Sequence, residues 1–133
     1  MSTLHVLKVF VGADGRGGNP LGVFLAGADF PSDQRQAVAT DLNYSETVFV
    51  DDLATGELKI FTTAAELPFA GHPLVGTAWL LHQEGHAGDT LWPPAGLVPA
   101  CVDSDITWIK GRPEWSPRMK FIQYDSPSKI NAL

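Results

Sequence analysis

Apolar and β-branched residues alternate with polar ones over residues 4–11, and a second such run occupies residues 21–25, so the chain opens with two strands. The connection between them is short and glycine-rich, which favours an antiparallel pair. Pro31-Ser32-Asp33 then supplies side chains that can satisfy the free N–H groups of a helix start. Ala37, Val38 and Leu42 form the inward face of this helix, and Asn43 ends it in a left-handed turn. Residues 44–50 read as a strand, residues 51–56 as a turn, and residues 58–62 as the returning strand of a hairpin.

The next segment has a different period. A helix is expected from about His72, with Pro73 in its first turn, where a missing N–H costs nothing. Leu74, Val75, Ala78, Trp79, Leu80 and Leu81 make it apolar on nearly every side, which is the pattern of an enclosed helix. It fades at Gln83-Glu84-Gly85. A surface turn over residues 85–89 leads to three short strand-like pieces at 90–92, 97–102 and 106–109. From Lys110 the composition changes to that of a connector. Residues 1–110 therefore form one domain and 111–133 a tail, in which Trp115, Phe121, Ile122 and Tyr124 need covering from outside the domain. The pattern predicts an α+β fold.

Composition narrows the function classes. With 133 residues, 44% of them hydrophobic, and mean hydropathy near zero, the chain fits one globular domain with a moderate core. A net charge of -6 with no cluster of lysine and arginine argues against nucleic acid or an anionic membrane as partner. The single cysteine, Cys101, rules out an internal disulfide and reads as a small apolar core residue, with a reducing, cytoplasmic address as the simplest expectation. The N-terminal residues show no signal-peptide pattern and no membrane-length apolar run. Gly15, Gly17 and Gly18 lack the lysine and the strand-to-helix context of a phosphate loop. His82 and His86 are four apart, but Gly85 lies between them, so neither they nor His5 make a zinc set, and no metal is expected.

Two features carry candidate chemistry. Period-two alternation places Glu46 on the same strand face as Val48 and Val50. Either this carboxylate points into water at a strand end, or it is desolvated, which would raise its pKa toward the range useful for proton transfer. The second feature is the loop Glu66-Leu67-Pro68-Phe69-Ala70-Gly71-His72, which feeds the enclosed helix. The first helical turn has N–H groups without internal partners and a partial positive charge, so Gly71, His72 and the residues after them are candidates for holding a carboxylate or a phosphate.

Three blocks together define a resemblance: Gly18-Asn19-Pro20-Leu21-Gly22-Val23-Phe24, Asn43-Tyr44-Ser45-Glu46-Thr47-Val48-Phe49-Val50, and Glu66-Leu67-Pro68-Phe69-Ala70-Gly71-His72-Pro73-Leu74-Val75-Gly76-Thr77-Ala78. In this order and spacing the chain resembles the N-terminal half of the PhzF-like phenazine-biosynthesis isomerases. The resemblance implies a diaminopimelate-epimerase-like fold, in which each half is a mostly antiparallel sheet curled around a central helix and the active site lies between the halves. It implies that Glu46 is the general acid/base, that His72 assists it, and that Asn19, Gly71, Gly76 and Thr77 line the substrate site. The substrate it implies is a small cyclic or amino acid-like carboxylate, handled without metal or organic cofactor. The family's second half has no counterpart in this sequence. A homodimer, a separate polypeptide carrying the other half, or a truncated or half-domain relic that binds a small carboxylate or a protein without catalysis would each account for that.

Overall fold

The computed structural model describes residues 2–116, 118 and 121–131. Met1 of the N-terminal reading, and Pro117, Met119, Lys120, Ala132 and Leu133 of the tail, lie outside the described residues. A five-stranded sheet runs in the order β1 (Leu4–Val9), β2 (Asn19–Phe24), β3 (Glu46–Asp52), β4 (Glu57–Phe61) and β5 (Glu66–Leu67). A three-stranded antiparallel sheet follows in sequence, with β6 (Thr90–Leu91), β7 (Val98–Asp103) and β8 (Ile106–Ile109). Two helices complete the domain, α1 (Arg35–Leu42) and α2 (Gly71–Gln83), and a short α3 (Pro127–Asn131) lies in the tail. No helix among the described residues is long and apolar enough to cross a membrane.

The enclosed helix is the centre of the molecule. Leu74, Ala78, Leu80 and Leu81 of α2 pack with Leu21, Val23, Val48, Val50, Leu58 and Ile60 from the large sheet and with Leu91 and Val98 from the small one. The two sheets meet through the backbone, where Leu58 N–H donates to the Trp92 carbonyl at 3.2 Å and Trp92 N–H to that of Gly56 at 2.9 Å. One stripe of the helix escapes. Trp79, expected in the wall, is 40% exposed, because with Val75 it faces a groove of ≈ 660 Å³ between the unpaired edges of β1 and β8.

The other face of the large sheet carries a smaller aromatic core. Phe24, Phe49 and Phe61 pack under Ala39, with Phe30, Val38 and Leu42 around them. Burial on both faces explains why Thr47 to Val50 are all enclosed. Here the inward face of α1 differs from the sequence expectation. Ala37 is exposed, while Ala39 and Arg35 are buried. A 3-10 turn at Ser32–Gln34 precedes the α-helix, and its three residues per turn rotate the face relative to an unbroken 3.6-residue helix. The expected C-terminal turn is present, with Asn43 left-handed at φ 60°.

Strand directions are mostly antiparallel, as expected, with one exception. β1–β2, β3–β4 and β4–β5 are antiparallel, but β2 and β3 are parallel. The chain from Phe24 crosses the sheet through α1 and re-enters at the same end, and a crossover of that length is what parallel strands require. The sheet is therefore mixed, and the class remains α+β. β1 stops two residues short of the expected end, where Phe10 turns to φ 61°. Cys101 is exposed on β7 rather than part of the core, because it sits on the solvent side of a strand that alternates in burial. Trp115 finds its cover inside the domain, against the large core and Phe69. Phe121 and Ile122 stay 89% and 62% exposed.

Arg35 clasps the crossover. Its guanidinium makes a two-pronged pair with Asp51, Nη2 to Oδ1 at 2.6 Å and Nη1 to Oδ2 at 3.1 Å. It also donates to the carbonyls of Gly27 and Phe30 and lies over the Phe49 ring. Removing one member of a buried pair strands the other, at a cost of about 3 kcal/mol or more. Arg35→Ala is therefore expected to lower the melting temperature by on the order of 10 °C, and Arg35→Lys, which loses the planar fork, by an intermediate amount. An unchanged melt for Arg35→Ala would show that the clasp is dispensable.

Candidate active site

β3 begins at Glu46, and the register explains where its side chain goes. Glu46 lies opposite Leu21 of β2, Val48 lies opposite Val23, and all four belong to the face that α2 covers. The strand start coincides with the helix start. Consequently Glu46 meets not an apolar turn of α2 but its mouth, where His72 stands in the first turn. Glu46 Oε2 and His72 Nε2 are 2.9 Å apart, with side chains only 15% and 12% exposed. The carboxylate thus faces inward, and of the two placements open to it in the sequence the solvent-facing one does not occur. The distance is that of an ion pair when the imidazole is protonated, yet the angle is not that of a hydrogen bond. Both atoms are buried without a hydrogen-bonding partner among the described residues. Native structures seldom leave such atoms idle, and catalytic centres are one of the places where they do.

The helix mouth is open in a second respect. Ala70 is the N-cap of α2, extended at φ -153°, ψ 134°, with no side chain capping the first turn. The N–H groups of Gly71 and His72 have no acceptor inside the helix, and Pro73 has none to offer. A Cβ added at Gly71 would meet nothing within 4 Å. Space, free donors and the positive end of the helix dipole therefore coincide within one turn of the Glu46–His72 pair. Asn19 is exposed at the start of β2, one pleat before Leu21 and on the same face, so the parallel register brings it to the end of the sheet where Glu46 begins β3.

The remaining two expected substrate contacts have interior surroundings. Gly76 is buried, and a Cβ there would lie 2.6 Å from Leu21 Cδ2 and 2.9 Å from Val9 Cγ2, so the missing side chain lets α2 close on β1 and β2. Thr77 is fully buried, and its hydroxyl donates to the Pro73 carbonyl one turn back at 2.7 Å. One motif thus holds two kinds of residue, those at the helix mouth and those one or two turns inside. What the sequence did not reveal is how the mouth is held. Phe69 packs on Trp115, ring centroids 5.3 Å apart, and Ala95 N–H donates to the Pro68 carbonyl at 3.0 Å. The aromatic pair is separated by more than forty positions in the chain, and its only signal was an unassigned tryptophan in the tail.

An α+β half-shell around an enclosed helix, with an acid and an imidazole facing each other at the helix mouth, defines the class of the fold and site. The chain belongs to the PhzC-PhzF family of phenazine biosynthesis-like proteins, whose model matches residues 8–127. Its sequence is 47% identical over 100 residues to an uncharacterized isomerase of Pasteurella multocida, covering 71% of this chain and 34% of that protein. It is 46% identical over 74 residues to the trans-2,3-dihydro-3-hydroxyanthranilate isomerase of Pseudomonas fluorescens, covering 52% of this chain and 27% of the relative. Among solved structures, a PhzF-family phenazine biosynthesis protein from Enterococcus faecalis superimposes with a TM-score of 0.70 at 25% identity, over 80% of this chain and 43% of the other. The chain spans about a third of the length of these curated relatives.

The two glycines of the motif separate by their surroundings. Gly71→Ala is expected to leave stability within about 0.5 kcal/mol of the wild type, as at other surface positions. Gly76→Ala forces Leu21 and Val9 apart; overpacking of this kind costs about 1–3 kcal/mol, of which better helix propensity returns up to about 1. Urea unfolding of the two variants checks this, and equal midpoints would contradict the packing role of Gly76.

Proposed function

We propose that this chain provides one wall of the active site of an isomerase that moves a proton on a small cyclic or amino acid-like carboxylate by general acid/base catalysis, without a cofactor. The observation that carries the reading is the 2.9 Å approach of Glu46 to His72 at an uncapped helix mouth. The Glu46 carboxylate takes a proton from a substrate C–H bond, the electron pair moves into the adjacent unsaturated or carbonyl system, and the carboxyl group, after exchanging its proton with solvent, protonates a different carbon. His72 holds the carboxylate in place and stabilises its charge when the imidazole is protonated. The N–H groups of Gly71 and His72 bind the substrate carboxylate, with Asn19 beside them. A second half-domain supplies the facing wall, from a second copy of this chain or from further polypeptide. That several relatives are named isomerases supports the same reading.

A second reading draws on the burial of Gly76 and Thr77, two of the expected substrate contacts. In it the domain binds a small carboxylate or a protein partner without turnover. Deuterium exchange from D2O, followed by proton NMR on trans-2,3-dihydro-3-hydroxyanthranilate and on a panel of small cyclic amino acids, separates the two. Exchange by the wild-type chain, reduced on the order of 10²–10⁴-fold in Glu46→Gln and less in His72→Asn, is the expected result. Full exchange by Glu46→Gln would remove the carboxylate from its role, and saturable binding without exchange by the wild type would establish the second reading. Sedimentation of the same samples shows whether exchange accompanies a dimer.

A further inference from the structure

An uncapped helix start has to be held by something other than its own first turn, and the structure shows what holds this one. Between β8 and the exposed part of the tail, residues 110–116 run as a strap across the loop that precedes α2. The strap is fixed at one end by Lys110 N–H, which donates to the Pro99 carbonyl at 2.9 Å. At the other end a single 3-10 turn, Pro113–Trp115, presents the indole. Trp115 packs against the large core and the Phe69 ring, with the Arg112 guanidinium 5.7 Å from its ring centroid. Gly111 lies against the edge of the Phe69 ring, where a Cβ would come within 2.6 Å of Phe69 Cζ. Phe69 is three residues before His72, and neither residue in between is anchored by a side chain of any size. Its ring is therefore the nearest side-chain anchor of the helix mouth on the N-terminal side.

We propose that Trp115 is a positioning residue for His72: by clamping Phe69 it sets the height and angle at which the first turn of α2 presents the imidazole to Glu46. Trp115 does not face the acid–imidazole pair in this account and acts only through Phe69. The structural part stands on packing alone, whereas its consequence for turnover rests on the isomerase reading above.

The test uses the full chain labelled with 15N and compares the ring signals of His72, assigned with His72→Asn, against those of His5, His82 and His86. Trp115→Ala removes the clamp, Trp115→Phe keeps an aromatic ring, and Gly111→Ala displaces the Phe69 ring without removing any side chain. In Trp115→Ala and Gly111→Ala the His72 ring signals are expected to move several-fold more than those of the other three histidines, with Trp115→Phe close to wild type. Far-UV circular dichroism confirms that each variant is folded. Should Trp115→Ala fail to fold, Gly111→Ala alone decides the question. Unmoved His72 signals in folded Gly111→Ala, or equal movement of all four histidines, would overturn the proposal. Where exchange activity is measurable, the clamp variants are expected to lose kcat by at least several-fold with KM nearly unchanged. If the His72 signals follow the clamp while Glu46→Gln keeps full exchange, the positioning role stands and the isomerase reading falls.

Discussion

The approach of Glu46 to His72 depends on one constraint, that a helix too apolar to meet water has to be wrapped. Seven residues of α2 are buried, and no single sheet can cover a helix on that many sides. The chain answers with two sheets, one before the helix and one after it, joined at their margins through Gly56, Leu58 and Trp92. Apart from the stripe at Trp79, wrapping leaves the helix ends as its route to solvent. The N-terminal end is where unsatisfied donors collect, so the same enclosure that builds the core directs those donors to one opening. β3 starts level with that opening, and its first residue is a glutamate.

Much of this was legible in the sequence because the relevant signals are local. Period-two alternation put Glu46, Val48 and Val50 on one face, and these residues do share the α2 side of the sheet. The apolar run after Pro73 marked an enclosed helix, and α2 occupies Gly71–Gln83 as expected. Asn43 ended α1 in the left-handed region, and the short strands of the second sheet fell close to their expected places. In each case the residues that determine the structure lie within one or two turns of one another.

What was not legible depends on contacts between distant segments. Nothing near Arg35 in sequence announces Asp51, and a lone arginine at the start of a short amphipathic helix reads as a surface residue. Its burial follows only once the 3-10 turn rotates α1 and the crossover carries the chain back to β3. The parallel pairing of β2 with β3 has the same origin, since direction is set by where the connection returns and not by either strand. Gly76 and Thr77 show a further limit. A motif displays its residues in one row, whereas the fold sorts them by depth, so that Gly71 and Gly76 perform unlike tasks although both are glycines in one helix.

The strap at residues 110–116 carries the same argument from the core to the tail. A connector is free to wander unless something in it must be buried, and Trp115 is large enough to impose that requirement. Once the indole is seated, the backbone on either side is held within reach of Phe69, and the loop before α2 gains an anchor that its own sequence does not contain. Beyond Ser116 the character reverses, for Phe121 and Ile122 project into solvent. Residues at the start of the tail thus pack on the core through Trp115, and the same indole rests on Phe69 in the loop from which His72 projects.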